Sequence, residues 1–109
     1  MDFNDYQVAA MRTRPKDLWP SQFLQAGIGM AEEACEVLGL VKKVYFHGHD
    51  IDPKKLKEEL GDTMWHIALM CELLGIGMAE VAEGNIEKLK QRYPGPEGFS
   101  EERSRNRGY

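Results

Sequence analysis

The sequence predicts an all-α fold, a four-helix bundle completed by oligomerisation. Apolar residues recur at three- and four-residue intervals through most of the chain, β-branched alternation and hairpin signals are absent, and cap residues mark the helix ends. With 109 residues the chain suffices for one compact domain and is too short for two. We assign residues 1–99 to that domain and 100–109 to a polar C-terminal tail.

A short first helix is predicted from about Phe3 to Thr13, ended by RPKDLWP with its prolines Pro15 and Pro20. Ser21 or a neighbour opens a second helix. It carries Phe23, Met30, Ala34, Val37, Val41 and Val44 on one stripe and ends near Phe46. HGHDID reads as a loop. Asp52 suits an N-cap and Pro53 the first helical position, so a third helix runs from there to Leu74, with Gly75 and Gly77 beyond it. Its stripe is Leu56, Leu60, Met64, Ile67, Cys71 and Leu74. From Met64 onward it turns apolar nearly all round, which predicts self-association as a homodimer or dimer of dimers through this half. A fourth helix spans about Met78 to Arg92, with Met78, Ala82, Ile86 and Leu89 together. The tail from Tyr93 is expected to gain order by contact with other parts or another subunit.

The formal net charge of -4 gives no general attraction to nucleic acid or to an anionic membrane, so neither is expected as a partner. Any phosphate-bearing ligand must be held locally, by a metal or by a few placed cations. The two cysteines, Cys35 and Cys71, lie inside apolar helical patterns and form no disulfide framework, which predicts a reduced, cytoplasmic setting. No apolar run approaches membrane-spanning length, and the acidic N-terminus does not resemble a signal peptide.

Acidic residues carry the chemistry. Glu33 and Glu36 in EEACE, and Glu59 and Asp62 in EELGD, are each three positions apart, which places each pair on one helix face about one turn apart. Both pairs border an apolar stripe, and lysines able to form compensating pairs are scarce near Glu32, Glu33 and Glu36. If the two helices lie side by side, four negative groups converge. Such convergence is unfavourable unless a cation sits between them, and hard, oxygen-seeking ions such as Mg2+, or Mn2+ as a substitute, are what such clusters bind.

Glu32, Glu33 and Glu36, with Glu58, Glu59 and Asp62, resemble the EExxE and ExxD motifs of the MazG-like all-α nucleotide pyrophosphohydrolases. ELGDTMWHIALM is similar to that family's long metal-binding helix, and NIEKLKQRYPGPEGF to its closing helix and following loop, so the likeness covers most of residues 20 to 99. It implies hydrolysis of a nucleoside triphosphate between the α and β phosphates, giving a monophosphate and pyrophosphate, with a role in nucleotide-pool clean-up. Glu33, Glu36, Glu59 and Asp62 would then hold Mg2+. Glu32 would serve a second metal or take a proton from the attacking water.

Other positions follow from the likeness and from placement. Lys43 lies two turns after Glu36, where its ammonium could meet a phosphate or simply cap the helix end. Asn85 falls within the apolar stripe of the fourth helix, where an unpaired amide is costly. It either bonds a neighbouring backbone or reaches the nucleotide, and the likeness favours the second. Lys88, one turn later, would approach the phosphates. His66 sits where similar sequences carry aromatic residues, often Tyr, so it could contact a base, though no base specificity follows from that. Trp65 is read as core, and the HxH of His47 and His49 as loop polarity rather than a zinc site.

Two other classes compete with this reading. A di-iron carboxylate bundle lacks its Glu-x-x-His elements here. A non-catalytic helical interaction module, its acids serving solubility, is the principal alternative.

Overall fold

The computed structural model describes residues 1–16 and 20–106, so Asp17, Leu18 and Trp19 of the expected interruption lie outside the described residues. The described chain is helical, with α1 at Phe3–Ala10, a 3-10 turn at Met11–Thr13, α2 at Ser21–His47, α3 at Pro53–Leu74, α4 at Met78–Arg92 and α5 at Glu101–Arg105. It divides into two compact units, Met1–Met78 and Ala79–Tyr109.

In the first unit, helix ends follow their caps. The Asp2 carboxylate accepts from the Asp5 N–H at 2.7 Å while Asp5 accepts from the Asp2 N–H, a reciprocal capping box. Asp52 accepts from the Lys55 N–H at 3.1 Å, with Pro53 opening α3. Gly48 and Gly75 end α2 and α3 in the left-handed region, at φ 69° and 71°, which a residue with a Cβ enters only at a cost.

The short loop between Gly48 and Asp52 returns α3 alongside α2, so the two helices run antiparallel. Gln22, Ala26 and Gly29 are the buried residues of α2, and Ala68, Leu69 and Cys71 those of α3. The stripe expected on α2 is therefore corrected. Met30, Val37 and Val44 are half-buried, but Phe23, Ala34 and Val41 are exposed in the single chain. Small side chains at 26 and 29 let the backbones approach, and that contact outweighs the larger residues further round the helix. On α3 the expected stripe holds at Cys71 and, half-buried, at Leu56, Met64 and Ile67, whereas Leu60 and Leu74 are exposed.

α1 closes the far end of α3. Tyr6, Ala10 and Met11 pack with Ile67 and Ile76 on a core of Ala68, Cys71 and Met78. The buried Gln7 amide satisfies the turn after α3, donating to the Ile76 carbonyl at 3.0 Å and to Glu72 at 3.1 Å while accepting from the Met78 N–H at 2.7 Å. Trp65 is half-buried, with its indole N–H directed to the Ala10 carbonyl at 3.1 Å and Thr13 Oγ1 at 2.8 Å.

In the second unit, Tyr93 and Phe99 meet with ring centroids 5.3 Å apart. The tail forms a short helix of its own, opened by Ser100, whose hydroxyl accepts from the Arg103 N–H at 3.3 Å. This N-cap signal is local and legible in SEER, and the tail also contacts another part of the chain, as expected, through the Arg103 guanidinium donating to the Arg92 carbonyl.

Candidate functional site

Antiparallel pairing of α2 and α3 builds the site from two helix faces. Residues 29, 33, 36 and 43 recur at three, four and seven positions on α2, and residues 55, 59, 62 and 66 at the same kind of interval on α3, so each set shares a face. The structure joins these faces at two points. A Cβ built on Gly29 would collide with the His66 ring, and Glu33 shares a hydrogen bond with Glu59.

Glu33, Glu59 and Asp62 each offer a carboxylate oxygen, and these oxygens lie within 4.8 Å of one another. Glu33 and Glu59 are half-buried, and Asp62 is exposed. None of the three has a lysine or arginine partner among the described residues. The Glu33 carboxyl is held above its usual range, first by the hydrogen bond shared with Glu59, then by burial and by the charges of Asp62 and Glu59, with His66 opposing. A proton shared between two carboxylates substitutes for a cation. An all-oxygen, triply acidic donor set fits a hard divalent ion, and the observed crowding without internal cations is what such an ion would relieve.

Glu36 and Glu32 stand one step away. Both are exposed, and with Lys43, Lys55 and Glu59 they line a groove of about 360 Å³ between α2 and α3. Glu59 belongs to the carboxylate group and to this groove alike. His66 lies beyond Asp62, its Nδ1 2.9 Å from the Asp62 carbonyl, which can only accept, so Nδ1 carries the proton. The His66 ring meets Trp65 edge-on at 5.1 Å. Asn85 and Lys88 are exposed on α4, in the second unit. The single chain thus places Asn85 outside any core. His47 and His49 join no group of three metal-ligating side chains among the described residues.

Sequence reasoning passed over two contributors. Gly29 gives His66 its place, a role signalled only by a glycine inside a strongly periodic helix. Tyr6, on α1, packs on the core beside the site and feels its charge: the phenol is held protonated to higher pH by burial and, secondarily, by Asp62. No motif marks it.

Residues 24–96 match the family described as the MazG nucleotide pyrophosphohydrolase domain. The Gene 37 protein of Mycobacterium phage L5 is 30% identical over 69 residues, a match covering 60% of this chain. The chain spans 60% of the length of that phage protein. No solved structure matches. The family match extends over the second, third and fourth helices, including both acidic pairs, and on that ground the chain belongs to the MazG nucleotide pyrophosphohydrolase family.

Proposed function

We propose that the protein is a Mg2+-dependent nucleoside triphosphate pyrophosphohydrolase that cleaves between the α and β phosphates, releasing a monophosphate and pyrophosphate. The observation that carries this reading is the convergence of Glu33, Glu59 and Asp62 within 4.8 Å, in a chain of the MazG family. Mg2+, with Mn2+ as a substitute, supplies Lewis acidity toward phosphate oxygens and water when bound. Glu33, Glu59 and Asp62 hold it, and Glu36 approaches from the adjoining groove. Glu32, exposed on that groove, accepts the proton of the attacking water. Lys43 meets phosphate oxygens, His66 contacts the base, and Asn85 and Lys88 are further nucleotide contacts carried by α4.

A homodimer or dimer of dimers completes the domain of residues 1–99. Supporting this, the buried apolar residues among those described are Ala26, Ala68, Leu69, Cys71 and Met78, while Leu24, Ile28, Leu38 and Leu60 are more than half exposed. A cytoplasmic place and a role in nucleotide-pool clean-up belong to the same reading: Cys35 and Cys71 form no disulfide, and no described helix is long and apolar enough to cross a membrane.

The test is a panel of ribo- and deoxyribonucleoside triphosphates incubated with Mg2+ or with a chelator, the products resolved by phosphorus NMR. Monophosphate plus pyrophosphate, formed only with the metal, is expected. Nucleoside diphosphate plus orthophosphate would contradict the assigned bond. Absence of turnover, with no metal effect on stability, would favour a helical interaction module instead.

A further inference from the structure

The spacing of α2 and α3 at the carboxylates is set from one side. Toward Glu36 and Lys43 the helices open on a groove, and the three clustered acids repel one another, so neither draws the two faces together. On the other side the helices are in contact. A Cβ built on Gly29 would stand 2.0 Å from Cδ2 and 2.2 Å from Nε2 of His66, whereas a Cβ on Gly39 of the same helix would meet nothing within 4 Å. The His66 ring therefore lies directly on the α2 backbone and acts as the spacer there.

In an antiparallel pair, each step forward on α2 answers an equal step back on α3. Four residues on from Gly29 is Glu33, and four residues back from His66 is Asp62, each about 6 Å along its axis. Three residues the other way are Ala26 and Leu69, both 0% exposed. His66 thus stands between a buried pair and an acidic pair. Its ring is held on three sides: Nδ1 donates to the Asp62 carbonyl at 2.9 Å, the Cδ2–Nε2 side lies against Gly29, and Trp65 meets the ring edge-on with centroids 5.1 Å apart. Trp65 is itself anchored, its indole N–H directed to the Ala10 carbonyl and Thr13 Oγ1. A shift of α2 along α3 would break the ring's contact with one helix or the other.

Resting on the metal-dependent reading above, we infer that His66 is a positioning residue for the divalent ion: its ring, wedged between Gly29 and the Asp62 turn, holds α2 against α3 so that Glu33 meets Asp62 and Glu59 before the ion arrives. It acts through the carboxylates and needs no contact with the ion. A site assembled in advance leaves less ordering for the binding step, and residues that orient ligands in this way change metal affinity by about tenfold or more. The role is additional to base contact and separable from it, because it operates without nucleotide.

The test is Mn2+ binding in the absence of nucleotide, followed by electron paramagnetic resonance on the full chain, with circular dichroism to check the helical fold. We expect His66→Ala to weaken Mn2+ binding by about tenfold, and His66→Phe, which restores a planar ring, to recover most of it. Gly29→Ala, whose Cβ faces the ring rather than the carboxylates, should weaken binding where His66 is present and have no effect in the His66→Ala background. His66→Asn takes the place of His66→Ala in this cycle if the latter does not fold. Unchanged Mn2+ affinity in a folded His66→Ala would overturn the inference, and so would equal effects of Gly29→Ala in both backgrounds. A His66→Ala protein altered only in its preference among bases would overturn it too, leaving the ring to the nucleotide alone. A wild type that takes up no Mn2+ would overturn it together with the metal reading. The expected Mn2+ losses in a protein that releases no monophosphate from triphosphates would uphold it and sink the pyrophosphohydrolase reading alone.

Discussion

Glu33 shares a hydrogen bond with a second carboxylate, and this sets the sign of a pH effect. Its pKa in the folded chain is raised, so the native state binds that proton more tightly than the unfolded state. The resulting contribution to stability is fully present below the ordinary glutamate range and is lost as pH rises through the raised value. In chelator, the wild type should therefore lose melting temperature relative to Glu33→Gln over the weakly acidic range, and saturating Mg2+ should remove that loss. A difference of opposite sign in thermal melts would show that Glu33 is held ionised. Gly29 offers a second test at this scale. Alanine gains about 1 kcal/mol of helix propensity over glycine, but a Cβ here meets the His66 ring, and overpacking costs about 1–3 kcal/mol. Because the ring is anchored through Nδ1 at Asp62, the steric term wins. Gly29→Ala should be destabilised by up to about 2 kcal/mol in urea titration, and a stabilised variant would mean that the ring moves aside freely.

Helix positions were largely legible because their signals are local. Asp52-Pro53, Gly48 and Gly75 each fix a terminus through one hydrogen bond or one backbone conformation, and the third and fourth helices begin and end where the sequence places them. The packed face of α2 was not legible. It depends on which helix lies opposite, and Ala26 and Gly29 contribute by being small rather than by being apolar. The docking of α1 was hidden for the same reason. Its anchor is Trp65, fifty-odd residues away, whose indole N–H faces two acceptors at the end of the first helical segment. Trp65→Phe keeps a ring in place and removes that donor. It should cost about 1 kcal/mol and speed hydrogen exchange across Phe3–Thr13 more than in α2. Uniform exchange in both segments would argue against a separable α1.

Across the whole molecule, the small buried core and the antiparallel α2–α3 pair belong to one arrangement. The helices come close where side chains are small, and the same approach carries Glu33 toward Glu59 and Asp62. Three of the four carboxylates read from the sequence meet in this way, because three-residue spacing is a property of one helix and survives any packing that sets the two faces opposite. Glu36 stands outside that group since its position depends on the exact register, which spacing does not encode. Tyr6 and Gly29 were beyond reach because each acts through a residue distant in sequence. The central claim is that two helices jointly hold one divalent ion through these carboxylates. Titration of Mn2+ followed by electron paramagnetic resonance, on the wild type and on Glu59→Gln, tests it most directly. Saturable loss of the free-ion signal in the wild type and its persistence in a folded Glu59→Gln is the predicted result, with turnover in that variant lower by about two to three orders of magnitude. Equal Mn2+ uptake by the two proteins would contradict it.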